Sequence, residues 1–156
     1  MNTTEFLEIA SAICPDRTAI VFEDRRYNFM EMAERVNRLA NALASLGVRR
    51  GDTVALVQVN THQCVEAYFA VSKLGGIYVP LNFRARANEL TYMINTAETK
   101  TVLAGDRYMP LIEGIKGDIP NVKNFIALDG AKEEWLAYEE LIASASEEPV
   151  FAEVGE

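Results

Sequence analysis

The chain has 156 residues, of which 49% are hydrophobic and 24% charged, a composition that suits one globular domain. A domain near this size buries roughly 68–70% of the surface its unfolded chain exposes. Fifteen Lys and Arg against 23 Asp and Glu leave a net charge of −8, a sign that repels phosphate backbones and excludes nucleic acid as a default partner.

The N-terminal MNTTEFLEIA carries acids and no basic region, so it does not read as a secretory signal. No apolar run approaches the roughly 20 residues that a membrane helix needs. Cys14 and Cys64 lack metal-ligand spacing and read as two reduced, mostly buried thiols of a cytoplasmic protein.

In chain order, residues 4–13 read as a short helix ended by Pro15. TAIVFED at 18–24 and RRYNF at 25–29 read as strands of a hairpin joined near Asp24-Arg25. A long helix follows, with Asn28 as cap and Glu31 three residues on, as in a capping box. Met32, Val36, Leu39, Leu43 and Leu46 recur by four and three and share one face. Gly47 stands where a left-handed cap favours glycine.

Arg50-Gly51-Asp52 spells a tripeptide that adhesion receptors recognise. It also joins the helix to TVALVQV, a strand apolar on both faces, which is the mark of a parallel strand covered by helices. The turn reading is the stronger.

Asn60 or Thr61 caps a helix over 61–74 that is apolar around most of its circumference, and Gly75-Gly76 ends it. IYVPL is a strand made short or terminal by Pro80. NELTYMINTA at 88–97 reads as a helix with Leu90, Met93, Ile94 and Ala97 on one face. KTVLAG is a strand, DRYMPLIEGIKGDIP a helix, VKNFIALD a strand and EEWLAYEELIASA a helix opened by Glu133-Glu134. SASEEPVFAEVGE is acidic and weakly patterned. The division is therefore a domain over 1–143 and a linker or tail over 144–156. Alternating strands and helices predict a layered α/β domain with a mostly parallel sheet flanked by helices.

Residue patterns alone supply no catalytic or metal-binding constellation. There is no GxxxxGK[ST], and no GxGxxG follows a strand. His62, the only histidine, reads as a polar residue in a first helical turn or as a general base without a partner close in sequence. Cys64 lies two residues on, and residues two apart on a helix do not face each other.

The succession YNFMEMAERVNRLANALASLGVRRGDTVALVQVN, then EAYFAVSKLGGIYVPLNFRARANELTYMINTAETKTVLAG, resembles the start of the adenylate-forming (AMP-binding) superfamily. Its marks are a helix ending in Leu-Gly-Val, a Gly-Asp-x-Val-Ala strand entry, Lys-Leu-Gly before a strand ending Val-Pro-Leu-Asn, and Glu-Leu-x-Tyr-x-Ile in the next helix. Each is weak alone. Together, in this order over residues 5–130, they are specific.

The resemblance implies the N-terminal subdomain of an acyl-CoA synthetase or acid–CoA ligase. The family's phosphate loop, its nucleotide-binding Asp and its catalytic Lys lie downstream and are not in this sequence, so the chain by itself is expected to be inactive. For the full-length enzyme the resemblance implies attack of a carboxylate on MgATP, then displacement of AMP by CoA. ATP, Mg²⁺ and CoA are then cofactors of the whole and none is assigned to the fragment.

Asn82 and Arg84, after Pro80-Leu81, look more like the ligases that act on fatty acids than like peptide-synthetase adenylation domains, which stay an alternative. Arg84 matches a family position near the phosphates of CoA, a role that suits a guanidinium. Its other reading is a solvated loop residue paired with Glu89. A non-catalytic stand-alone module with the same fold is a further alternative. The implied partners are the rest of the synthetase large domain, a carboxylic acid substrate and, for the isolated chain, a second copy in a homodimer.

Overall fold

The structure, a computed structural model, describes residues 3–132 and 134–151. Helix α1 (Thr3–Ile13) leads into an antiparallel hairpin of β1 (Thr18–Phe22) and β2 (Arg25–Asn28). The turn falls at Glu23-Asp24, with Glu23 at φ 52°. Helix α2 (Phe29–Ser45) starts on the expected box. The Asn28 side chain accepts from Glu31 N at 2.8 Å, and the Glu31 carboxylate accepts from Asn28 N at 2.8 Å. Gly47 adopts φ 94° just past the helix end, a conformation that is strained for residues with a Cβ.

The remaining elements are β3 (Thr53–Val57), α3 (His62–Lys73), β4 (Ile77–Pro80), α4 (Ala87–Thr96), β5 (Thr101–Ala104), α5 (Met109–Ile115), β6 (Asn124–Ala127), β7 (Leu136–Ala137) and α6 (Tyr138–Ser144). Five parallel strands stand in the order β4-β3-β5-β6-β7.

Alternation along the strands divides the core into two. Val54, Leu56, Leu103 and Ile126 face α1, α2, α3 and α6. Ala55, Val57, Val102, Ala104 and Ala127 face α4 and α5. The sheet is thus buried on both sides, and β3 and β5 are buried at every residue, as their unbroken apolar runs require.

β4 lies at one edge. Ile77 N donates to Asp52 O and Leu81 N donates to Leu56 O, so residues 77, 79 and 81 turn their amides to β3. Pro80 therefore occupies an outward register position, where its missing N–H costs no ladder bond and leaves the edge short of a donor.

Three expectations are corrected, and one of the two caps expected for α3 is the cap found. The helix expected over 133–145 begins only at Tyr138. Trp135 is buried and bridges Lys132, Glu134 sits in a turn at φ 66°, and 136–137 pair with β6 as a fifth strand. Glu139 and Glu140, not Glu134, stand in the helix's first turn, and Glu133 lies outside the described residues. The helix expected over 106–120 is confined to α5 and a 3₁₀ turn at Lys116–Asp118. Thr61 is the cap of α3, without a side-chain cap bond. The buried face of α3 includes His62, Gln63, Glu66 and Lys73, while Tyr68 is exposed. Its polar residues, more than its apolar ones, turn inward.

Residues 145–148, in the stretch assigned to a tail, are bound along α2. Arg38 donates to Ala145 O at 2.7 Å, and Asn41 Nδ2 donates to Ser146 O and Glu148 O. Val150 packs on the core beside them.

The Arg50-Gly51-Asp52 turn is a bolted connection. Gly51 has φ 82° and donates to Gly75 O at 2.9 Å. The Asp52 carboxylate accepts from Arg49 N at 2.8 Å and Lys100 Nζ at 2.6 Å. An adhesion ligand presents its aspartate freely, and this one is committed. Both cysteines are free thiols.

Candidate functional site at the carboxyl edge of the sheet

The strand order reverses direction at β3, whose neighbours β4 and β5 follow it on opposite sides. In open α/β sheets ligands bind outside the carboxyl ends of the strands at such a switch point. Here that crevice is closed by Gln58. Its Nε2 donates to Asp129 Oδ2 at 3.3 Å, its Oε1 accepts from Val59 N at 3.0 Å, and Asp129 Oδ2 also accepts from Asp106 N at 2.8 Å. A Cβ at Gly105 would meet Gln58 Nε2 at 2.2 Å, so glycine there lets the amide close onto the β5 backbone.

Beside the crevice, the hairpin, the start of α3 and the start of α6 enclose a cleft of about 450 Å³ lined by Phe22, Arg25, Gln58, His62, Asp129 and Glu139 among others. His62 is 2% exposed and lies between the rings of Phe22 and Tyr27, at centroid distances of 5.6 and 5.4 Å. Arg25 Nη1 stands 3.3 Å from His62 Nε2. Guanidinium only donates, so Nε2 is the acceptor and Nδ1 carries the hydrogen. Burial holds the imidazole below its ordinary pKa.

Under this wall lies an ionic network. Arg35 of α2 grips Glu66 of α3 with Nε–Oε1 at 2.6 Å and Nη2–Oε2 at 3.1 Å. It also grips Glu139 of α6 at 3.0 and 2.9 Å. Tyr138 Oη donates to Glu66 Oε2 at 2.6 Å. Burial opposes the charge on Arg35, but its hydrogen bonds to Glu66 and Glu139 outweigh burial and raise its pKa further. Burial, then the Glu66 carboxylate, push the Tyr138 hydroxyl well up. The network ties three helices together and leaves both carboxylates hydrogen-bonded to one guanidinium. No local pattern announces it, because Glu66 meets partners 31 and 72 residues away.

Arg84 lies on the loop after β4, on the same carboxyl edge. Its N–H is held by Asn82 Oδ1 at 2.9 Å, and its guanidinium stands 5.4 Å from the Phe83 ring centroid. The pairing with Glu89 is corrected: Glu89 accepts from Arg86 N at 2.7 Å and caps α4. Phe83 in turn meets Tyr108, which follows β5, at 6.4 Å. An exposed guanidinium without an ion pair among the described residues fits a phosphate group. Among the described residues no group of three or more His, Cys, Asp or Glu is placed to hold a metal ion. No helix among them is long and apolar enough to cross a membrane.

The strand order β4-β3-β5-β6-β7 is that of a flavodoxin-like, doubly wound α/β domain. The sequence profile of the AMP-binding enzymes matches residues 7–153, and the chain belongs to that family. It is 34% identical over 152 residues to a long-chain-fatty-acid–CoA ligase of Thermus thermophilus, covering 94% of this chain and 28% of that one. It is 31% identical over 153 residues to 4-hydroxybutyrate–CoA ligase 2 of Metallosphaera sedula, with 93% and 28% covered. Among solved structures, the anthranilate CoA ligase AuaEII in complex with anthranoyl-AMP superposes with a TM-score of 0.93 at 27% identity, covering 97% of this chain and 30% of that one. The N-terminal domain of FACL13 from Mycobacterium tuberculosis gives 0.90 at 27% identity, with 99% and 38% covered. The chain therefore spans little more than a quarter of the length of the curated relatives it matches.

Proposed function

We propose that this chain is the N-terminal α/β part of an ATP-dependent, AMP-forming acid–CoA ligase acting on a fatty acid or similar carboxylate, and that it is inactive by itself. The observation that carries the reading is the family match over nearly the whole chain, supported by relatives named as CoA ligases. Residues 1–143 serve as the domain, and 144–156 lead toward the remainder of the large domain. That remainder supplies the phosphate loop and the catalytic lysine, and with them the use of ATP and Mg²⁺. The likeness to a long-chain-fatty-acid–CoA ligase favours a fatty acyl substrate. The enzyme works in the cytoplasm.

Arg84 contributes to CoA binding. Asn82 orders its backbone, Phe83 supports its guanidinium, and the head remains open at the carboxyl edge. The test is Arg84→Ala in a chain extended to the length of the relatives, with the two half-reactions measured separately. CoA binding should weaken by about 1–3 kcal/mol, the range for a hydrogen bond to a charged group, and adenylate formation should stay near the parent rate. An equal fall in both half-reactions would assign Arg84 a folding role instead.

A further inference from the structure

We propose that His62 is an acid-sensitive latch that holds the β1–β2 hairpin over the carboxyl-edge cleft and releases it on protonation. The hairpin is a separate two-stranded sheet with no ladder bonds to the main sheet. Its base is pinned, because Phe29 N donates to Arg17 O and Met30 N donates to Pro15 O. Near the tip one side chain of α3 touches both strands, while toward the base Arg35 stacks on Tyr27 at 5.0 Å and Ala19 and Ile20 pack on the core. His62 sits between Phe22 of β1 and Tyr27 of β2, and Arg25 of β2 donates to it. Phe22, Glu23 and Arg25 form one wall of the cleft, so a tip that lifts opens that wall.

The latch has a sign. A proton arriving at His62 goes to Nε2, the lone pair that accepts from Arg25. The hydrogen bond is lost, and an imidazolium then stands 3.3 Å from a guanidinium. The charged groups that act on His62 are Arg25 of β2, Arg35 of α2, Glu66 of α3 and Glu139 of α6. Glu66 and Glu139 favour the imidazolium by charge, but burial outweighs them, and their hydrogen bonds go to Arg35 and not to His62. Nδ1 is buried and has no partner, so it offers no compensating bond. Only a hairpin that lifts gives the imidazolium water. Burial lowers the folded pKa below the ordinary 6.5. The closed state is therefore favoured above that value and is lost as pH falls through the depressed pKa.

The test uses the 156-residue chain, in which His62 is the only histidine and gives one imidazole resonance. Its NMR titration is followed together with hydrogen exchange at the hairpin amides and at β5 and β6. The expected result is a midpoint below 6.5, coincident with at least tenfold faster exchange in the hairpin while β5 and β6 stay protected. Arg25→Gln should move the midpoint upward, and His62→Phe, which fills the same aromatic slot, should abolish the acid opening. A midpoint at or above 6.5, hairpin protection that persists through the titration, or β5 and β6 opening with the hairpin would each overturn the proposal. Acid opening retained in His62→Phe would overturn it as well.

Discussion

Arg35 and Glu66 form a two-point contact between α2 and α3, with Nε–Oε1 at 2.6 Å and Nη2–Oε2 at 3.1 Å, and the Glu66 side chain is 2% exposed. Removing Glu66 leaves Arg35 paired with Glu139 alone and leaves the buried Tyr138 hydroxyl without its acceptor, and an unsatisfied buried polar group costs about 1–3 kcal/mol. Glu66→Ala should therefore lower the unfolding free energy by that amount in urea. Replacing both residues by apolar ones should cost less than the sum of the single changes.

Acid should weaken the same region through the other carboxylate. Burial raises the Glu139 pKa, but the Arg35 hydrogen bonds prevail and hold it below 4.5. The Lys100 hydrogen bond, against a smaller burial effect, holds Asp52 below 3.8. For groups with depressed pKa, the stabilisation is complete above the unfolded value and disappears as pH falls through the folded one. The denaturation midpoint should thus drop steeply in this acid range. Glu139→Gln should give a shallower fall at Arg35, separate from any transition of His62.

Gly105→Ala tests the closed crevice. The new methyl would displace the far end of Gln58 and break its bonds to Asp129 and Val59. Two modest hydrogen bonds correspond to about 1–2 kcal/mol. Gln58→Ala should cost a similar amount alone, and Gly105→Ala should be nearly neutral on that background. Full additivity in the double variant would contradict the account.

Local signals were legible where the partner is near in sequence. Asn28 and Glu31 announced their capping box, and the period of Met32, Val36, Leu39 and Leu43 announced the buried face of α2. The parallel sheet was legible in TVALV, since only a strand covered on both faces has such a run. Long-range ion pairs were not. Nothing in the local pattern around Lys73 points to its burial against Glu8 of α1, 65 residues away. β7 was missed because two residues carry no period, and the acids of EEWLAYEE resemble a helix start. Trp135 decides otherwise, since its indole donates to Glu113 and its ring packs on Phe125. Arg84 was found only through a family resemblance, as an exposed loop arginine has no pattern of its own.

Beside α3, an apolar groove lies open at the β4 edge. Tyr68, Tyr78 and Phe83 line it with Val65 and Leu81. Val150 and Phe151 are not among the residues that line it: Val150 packs on the core shared by α1, α2, α3 and α6, and Phe151 stands over Lys73. Val154 lies outside the described residues. The isolated chain should associate through this groove as a symmetric dimer. Light scattering across a concentration series checks this, and Tyr68→Glu should return the chain to a monomer. A chain that is monomeric at every concentration would count against the groove.

A calorimetric titration of the 156-residue chain with MgATP should show no binding in the micromolar range. The backbone cradle that holds a triphosphate needs a glycine-rich loop, and this sequence has no GxxxxGK[ST] and no GxGxxG after a strand.

The central claim is that this domain belongs to a carboxylate-activating enzyme longer than itself. The most direct measurement is pyrophosphate release from MgATP with a panel of fatty acids, by this chain and by the same chain extended to the length of its relatives. The extended protein should release pyrophosphate only when a carboxylate is present and should form the thioester when CoA is added, while the 156-residue chain does neither. Pyrophosphate release by the short chain alone, or an extended protein that releases none with any carboxylate, would contradict it.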